Sequence, residues 1–182
     1  MSAADATIVT VTKTFVEMVP EQFKPTVLDD PAVTVVQSHE PLPEFYRFLY
    51  GTVGRDFEWV DRLGWSDDEL RAYLGNPAIT VLVLYVRGTP AGYIELDATP
   101  DEAGETGTNV AYFGLFPAFH GRGLGKHLLS VGVQRAFDDG AARVWLNTNT
   151  LDGRHALANY RARGFVPYKT ETYQHRMGQP DA

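Results

Sequence analysis

The stretch NVAYFGLFPAFHGRGLGKHLL, residues 109–129, decides how the rest of the chain is arranged. Its first part is apolar and typical of a strand, and its last part has the periodicity of an amphipathic helix. Between the two lies a turn with glycines at positions 121, 123 and 125. Glycine lets a ligand approach the backbone closely, and the first N–H groups of a helix lack partners. The stretch therefore predicts a loop that binds the pyrophosphate of a nucleotide-like cofactor.

Length and charge limit the class of protein. A chain of 182 residues suits one domain, which we expect to extend over residues 1–182. The 16 basic and 23 acidic residues give a formal net charge of −7, which argues against general nucleic-acid binding and against attraction to an anionic membrane. The sequence has no secretory leader pattern and no apolar run near the ~18 residues of a membrane span. We therefore expect a cytoplasmic protein.

The missing residue types restrict the chemistry as well. The chain contains no cysteine, which excludes disulfides, thiolate metal sites and a covalent acyl-cysteine intermediate. Any acyl transfer must then take another route. The histidines at positions 39, 127, 155 and 175 show no spacing typical of metal ligands, so we predict that no metal is bound.

The periodicity predicts an α/β (α+β) domain. Strands are expected at 7–19, 33–36, 79–86, 91–97, 109–116, 142–149 and 165–177, and helices at 42–51, 66–75, 124–140 and 156–164. We expect the first two strands to lie at one edge of a sheet. The strands within 79–97 form an antiparallel hairpin, whereas a helix between two strands implies a parallel pair with a right-handed crossover. The prediction is a mixed, mostly antiparallel central sheet of about six to seven strands flanked by about four helices.

The glycine turn does not match the two common nucleotide motifs. A mononucleotide P-loop has a glycine five residues before Gly-Lys and Ser or Thr after it, but here His120 and His127 hold those positions. A dinucleotide-binding fold has G-x-G-x-x-G early in a βαβ unit. Here the spacing is G-x-G-x-G, and the turn follows an antiparallel hairpin late in the chain.

Three blocks of sequence instead resemble the GNAT superfamily of acyl-CoA N-acyltransferases. Residues 120–125, HGRGLG, resemble its pyrophosphate signature Q/R-x-x-G-x-G/A at the start of a helix. Residues 156–165 resemble its A-x-x-x-Y-x-x-x-G-F segment, and residues 88–93 resemble the hairpin before the cofactor strand. The chain departs from the family twice: His120 replaces Gln or Arg, and Gly153 replaces an asparagine common seven residues before the tyrosine.

The resemblance implies a cleft that binds acetyl-CoA as cosubstrate, without a metal. Residues 77–177 would form the acyl-CoA-binding half and residues 8–76 a variable, acceptor-side half. The strand before the turn would offer a backbone N–H to polarise the thioester carbonyl. The implied cofactor-binding residues are Phe113, Gly114, Leu115, His120, Gly121, Arg122, Gly123, Leu124, Gly125 and Lys126.

Such a family transfers the acyl group directly to an amine, which agrees with the absence of cysteine. Tyr160 is the expected catalytic acid, because its phenol can donate a proton to the departing sulfur. Glu95 is the expected base; Asp97, Tyr112 or an acidic residue of the connector 59–65 are alternatives. The acceptor is expected against the aromatic and acidic side chains of Tyr46, Trp59, Asp61 and Trp65.

The expected reaction is acetyl transfer to a primary amine of a small molecule or peptide. Two alternatives stay open: a non-catalytic acyl-CoA-binding or sensory domain, and an O-acyltransferase on the same scaffold. The expected partners are acetyl-CoA and the amine acceptor, with a homodimer left open and neither nucleic acid nor membrane involved.

Overall fold

The structure, a computed structural model, describes residues 7–100, 107–153 and 155–178. The two ends of the predicted domain, residues 1–6 and 179–182, lie outside them. The strands and α-helices of the described residues are β1 (Ile8–Met18), β2 (Val33–Ser38), α1 (Pro43–Gly54), α2 (Asp67–Leu74), β3 (Ile79–Val86), β4 (Thr89–Asp97), β5 (Gly107–Leu115), α3 (Leu124–Asp138), β6 (Arg143–Asn149), α4 (Ala156–Arg163) and β7 (Val166–Arg176).

All seven strands form one sheet in the order β2-β3-β4-β5-β6-β1-β7. Neighbouring strands are antiparallel except for β5 and β6, which run parallel and are joined by α3. The mixed, mostly antiparallel sheet with four flanking α-helices confirms the predicted fold class. Within the described residues, none of the helices is both long enough and apolar enough to span a membrane.

The position of β1 differs from the prediction. The first two strands were expected together at one edge, but β2 alone forms that edge and β1 lies between β6 and β7. As a result, β6 and β7 run in the same direction without being neighbours, although a helix joins them. The physical reason is that strand pairing depends on long-range fit, which alternation within one strand does not encode. Residues 8–18 therefore pair with two strands from the last third of the chain.

The sheet separates two apolar cores. On one face, α1 and α2 pack on the side chains of Val81, Val83 and Tyr93. On the other face, α3 and α4 pack on Leu84 and Ile94 among others. The near-continuous apolar sequence of β3 is explained by this arrangement, since its side chains are buried alternately in both cores.

Candidate active site

A cavity opens where the two parallel strands separate. β5 and β6 pair from Gly107–Arg143 to Asn109–Trp145 and then diverge. The cavity has a volume of about 1030 Å³ and is lined by the last residues of both strands, by the glycine turn, by α4 and by the connector after α1. Its position between the diverging strands leaves one edge of β5 open.

The glycine turn has the geometry of an anion cradle. Gly121 and Gly123 have φ angles of 74° and 75°, in the left-handed region that favours glycine, and Gly123 is the N-cap of α3. A Cβ atom placed on either glycine would meet no atom within 4 Å, so both face open space. Because α3 begins here, its first N–H groups and the positive end of its dipole point to the turn. Lys126 adds a positive charge at the cavity wall.

Most of the predicted cofactor residues lie at this cavity. Phe113, Gly114, Leu115, His120, Gly121, Gly123, Gly125 and Lys126 all line it. The side chains of Arg122 and Leu124 do not: Leu124 is buried in the core, and the guanidinium of Arg122 lies 5.3 Å from the ring centroid of Phe119. Any contact of these two residues with the cofactor is therefore through the main chain.

His120, the departure from the signature, fastens the turn to the preceding strand. Its Nε2 lies 3.0 Å from the carbonyl oxygen of Leu115. Since a carbonyl oxygen can only accept, this contact requires a proton on Nε2. Leu115 is the last residue of β5, so the imidazole bridges the strand and the turn on the cavity side.

Tyr160 reaches the same cavity from α4. Its side chain is 8% exposed and its ring packs against Phe113 and Phe165 at centroid distances of 6.2 and 5.9 Å. Burial, together with the charge of Asp152, raises the pKa of Tyr160 well above its usual range. The phenol therefore keeps its proton at neutral pH. Tyr160 is one of the residues that line the cavity.

The glycine that follows this helix is required by packing. Gly164 has a φ of 110° and is the C-cap of α4. A Cβ atom there would lie 2.0 Å from the carbonyl oxygen of Gln22, which no side chain can tolerate. The tyrosine-to-glycine spacing of the motif thus fixes both the end of α4 and the segment beneath it.

Asp152 shapes the turn between β6 and α4. Its Oδ2 accepts hydrogen bonds from the Thr148 hydroxyl at 2.6 Å and the Asn149 N–H at 3.0 Å. Burial raises its pKa, opposed by these donors. Beside it, Gly153 lines the cavity at the position of the family's asparagine and offers no side chain. Main-chain groups and Asp152 are what this segment presents to a ligand.

The connector after α1 forms the acceptor-side wall of the cavity. Of the predicted acceptor residues, Trp59 and Asp61 line it. The Tyr112 hydroxyl donates to Oδ2 of Asp61 at 3.1 Å, and the Tyr112 ring packs edge-on against Trp59 at 4.9 Å. Glu58 brings a second carboxylate to this wall. This end of the cavity is therefore aromatic and negatively charged, whereas the turn end is positively charged.

The other three predicted residues do not reach the cavity. Glu95 is 0% exposed and, with Tyr46, lies in the core between the sheet and α1–α2. Tyr46 donates its hydroxyl to Oε2 of Glu95 at 2.7 Å, and Trp65 packs against Tyr73. The expected roles of Glu95 as base and of Tyr46 and Trp65 at the acceptor are corrected by this placement, because two helices close that face of the sheet.

Arg62 is a residue that sequence reasoning missed. Its Nη1 donates to Oε1 of Glu95 at 2.7 Å, and the pair is buried. Burial alone would lower the pKa of Arg62, but the charge of Glu95 reverses this and raises it. A signal was available: Glu95 is a lone charge within an apolar strand, and Arg62 is a basic residue between two tryptophans of a loop. Opposite charges in apolar surroundings are the ones that pair.

The comparisons with known proteins identify the family of the chain. A model described as the Acetyltransferase (GNAT) family matches residues 43–165, more than half of the chain. The chain belongs to this family, which confirms the resemblance and brings acetyl-CoA as the family's cosubstrate. Among residues 7–100, 107–153 and 155–178, no three His, Asp or Glu side chains form a group suited to a metal ion.

Individual relatives are distant. The chain is 30% identical over 116 residues to mycothiol acetyltransferase from Segniliparus rotundus, covering 60% of this chain and 43% of that protein. It is 26% identical over 154 residues to an uncharacterized N-acetyltransferase in the pepI 3′ region of Lactobacillus delbrueckii subsp. lactis, covering 78% and 88%. The chain thus spans less than half the length of that mycothiol acetyltransferase.

Among solved structures, a GCN5-related N-acetyltransferase from Kribbella flavida matches with a TM-score of 0.65. The identity is 20%, and the match covers 92% of this chain and 58% of that chain. At this identity the likeness shows the fold alone. The choice of acceptor has to be argued from the side chains at the cavity.

Proposed function

We propose that this protein transfers an acetyl group from acetyl-CoA directly to a primary amine of a small molecule or peptide. The observation that carries the proposal is that the glycine turn and the Tyr160 side chain open onto one cavity. Residues that can bind a pyrophosphate and a residue that can protonate a leaving group therefore line the same cavity. Family membership supports the same reaction class.

The residues at the turn fit the cosubstrate. Gly121 and Gly123 have no atom where a side chain would stand, which suits close approach of phosphate oxygens to the backbone. Lys126 would balance part of the phosphate charge. When bound, acetyl-CoA supplies a thioester, whose carbonyl carbon takes the amine nitrogen and whose sulfur leaves.

β5 offers main-chain N–H groups to the thioester carbonyl. Its residues from Val110 to Leu115 line the cavity, and β6 has already separated from it there. Main-chain N–H groups on that edge have no strand partner in the described part of the chain. We assign one of them, between Phe113 and Leu115, to hydrogen-bond the thioester oxygen as negative charge develops.

Tyr160 supplies the proton. Its pKa is raised by burial and by Asp152, so Oη carries hydrogen at neutral pH and donates it to the departing sulfur. A cationic amine gives up one proton to solvent before its nitrogen can attack, and the nitrogen loses a second proton when the new C–N bond forms. Asp61 accepts that proton directly or through water, since it is the carboxylate of the connector that lines the cavity beside Tyr112.

Tyr112 itself is a poor base. Burial, the neighbouring Tyr50 and the charge of Asp61 raise its pKa, so its phenol stays protonated. Its place in the mechanism is to hold Asp61. With Glu58 and Asp61 on one wall and Trp59 between them, the acceptor end favours a positively charged amine.

The decisive experiment measures thiol release from acetyl-CoA over a panel of small amines, polyamines, amino acids and peptides. We expect release that depends on the amine and is strongest for cationic acceptors. Tight acetyl-CoA binding without amine-dependent release would overturn the proposal in favour of a sensory domain. Hydroxyl compounds outcompeting amines would replace it with O-acyl transfer.

A further inference from the structure

We infer that Arg62 and Glu95 are positioning residues, which hold the acceptor-side wall formed by residues 57–61 in place. The inference rests on the proposed function, because it assigns the acceptor to that wall. It gives Glu95 a role different from that of a base.

The chain changes direction between two adjacent residues. Asp61 is exposed at the cavity, whereas the next residue, Arg62, is 9% exposed and points into the core between the sheet and α1–α2. Arg62 there meets Glu95 of β4 at 2.7 Å. The loop is thus tied to the sheet at the residue that directly follows its cavity-lining carboxylate.

Glu95 is occupied on both oxygens. Oε1 accepts from Nη1 of Arg62 and from the Tyr73 hydroxyl, each at 2.7 Å, and Oε2 accepts from the Tyr46 hydroxyl at 2.7 Å. Three donors from three different elements meet one carboxylate. Such a carboxylate orders the side chains around it, and it is not among the residues that line the cavity.

The guanidinium of Arg62 also lies among aromatic rings. Its Cζ is 4.0 Å from the ring centroid of Tyr73, 4.7 Å from that of Tyr112 and 4.9 Å from that of Trp65. Tyr112 belongs to both sites, since its ring contacts Arg62 and its hydroxyl donates to Asp61. The position of Asp61 is therefore fixed twice by Arg62: through the chain and through Tyr112.

The energetics favour a geometric role over a stabilising one. Removing two charges from water offsets much of their attraction, so a buried pair adds little net stability compared with apolar residues of similar size. A planar guanidinium, however, holds a fixed orientation against a carboxylate and aromatic faces, which a lysine does not. Arg62 is suited to setting the wall's position.

The test compares two double variants. Arg62→Met/Glu95→Gln removes both buried charges at nearly constant volume, which avoids leaving one charge unpaired. Arg143→Met/Glu17→Gln removes a cross-strand pair at 2.8 Å between β6 and β1, away from the cavity, and serves as control. Arg62→Lys keeps the charge and loses the planar contacts. Each variant is assayed with spermidine, lysine and a lysine-containing tetrapeptide as acceptors.

We expect the acceptor KM of the Arg62/Glu95 variant to rise about tenfold or more, with the acetyl-CoA KM within about twofold and Arg62→Lys in between. The control should keep wild-type constants. A folded Arg62/Glu95 variant with wild-type acceptor KM would overturn the inference.

Hydrogen exchange provides a readout that needs no turnover. In the Arg62/Glu95 variant, amides of residues 57–65 should exchange faster, while those of residues 144–147 in β6 stay protected. Unchanged exchange in the connector would contradict the positioning role. If the wild type releases no thiol with any amine, the proposed function fails. The exchange experiment alone then tests whether Arg62 and Glu95 hold the connector in place.

Discussion

The glycine turn and the Arg62–Glu95 pair build opposite ends of one cavity by opposite means. The turn works through missing side chains: Gly121 and Gly123 leave the backbone bare and the space above it open. The pair works through filled space, since Arg62 of the connector and Glu95 of β4 are buried and packed against Tyr46 of α1 and Tyr73 of α2. One site is encoded within a few consecutive residues, and the other exists only after the chain has folded.

The two regions therefore respond differently to substitution. At the turn, an added side chain is harmful because it occupies the ligand's place. At the wall, a lost side chain is harmful because the loop loses its anchor. The predictions below test this contrast in order of decreasing effect.

The largest effect is expected from Gly123→Val. The φ of 75° disfavours a β-branched residue, and the new side chain enters the space assigned to pyrophosphate. We expect the acetyl-CoA Kd to rise at least about 100-fold, about 2.8 kcal/mol, in titration calorimetry. Gly88→Val is the matched control, because Gly88 has a φ of 80° and equally open space at the β3–β4 turn. Both variants should lose about 1–3 kcal/mol of stability through backbone strain. Normal binding by Gly123→Val would remove the turn from the site.

Tyr160→Phe tests whether Tyr160 acts as the general acid of the reaction. Loss of a general acid should lower kcat by about 100-fold or more. The acetyl-CoA Kd should stay within about twofold, because the phenyl ring keeps its packing on Phe113. Steady-state thiol release and direct titration give the two values. Tyr168→Phe, an exposed tyrosine of β7, should behave as wild type. Equal kcat for wild type and Tyr160→Phe would exclude the proposed acid.

Asp61→Asn weakens the acceptor end without touching the turn. Because contacts of a carboxylate with a cationic group contribute about 1.5–3 kcal/mol, the acceptor KM should rise about tenfold or more. The acetyl-CoA KM should not change, and the effect should shrink at high salt. Asp56→Asn, an exposed carboxylate of the same connector outside the cavity lining, is the control. If both variants behave alike, net charge and not Asp61 attracts the acceptor.

The smallest effect concerns His127, beside the turn. Its Nδ1 accepts the Leu28 N–H at 3.2 Å, and burial lowers its pKa. The unfolded chain therefore binds the proton more readily, so this stabilisation is present above pH ~6.5 and is lost as pH falls through the lower folded-state pKa. Between pH 7.5 and 5, urea unfolding should show the wild type losing more stability than His127→Gln. Parallel pH slopes would show that the ring is protonated equally in both states.

The sequence was sufficient for the parts of the site that follow local rules. A glycine at positive φ, a helix start and a tyrosine four residues before the glycine that ends its helix are all set by nearby residues. The structure has the predicted turn at 121–125 before α3 and the predicted helix end at Gly164, with Tyr160 on α4. The parallel pairing of β5 with β6 was expected from the helix between them, but the same rule failed for β6 and β7, which β1 separates.

The parts that depend on tertiary packing were not predictable in this way. Alternation correctly separated Glu95 from Ile94 and Leu96, but it did not tell which face α1 and α2 would cover. In the connector, which has no regular period, Asp61 faces the cavity and Arg62 the core. A shift of one position in a loop exchanges a ligand contact for a core contact, and no sequence rule fixes that choice.

The placement of β1 between β6 and β7 has a consequence for how the molecule assembles. β1 is synthesised well before both strands with which it pairs, since these lie at residue 143 or later. Pairing over such a separation is slow because a long loop must close before any contact forms. Until β1 pairs with them, β6 and β7 each present an unpaired edge that another chain can join. The yield of refolding should therefore fall as the protein concentration rises. A short peptide spanning residues 8–18 should compete with β1 for the position between β6 and β7.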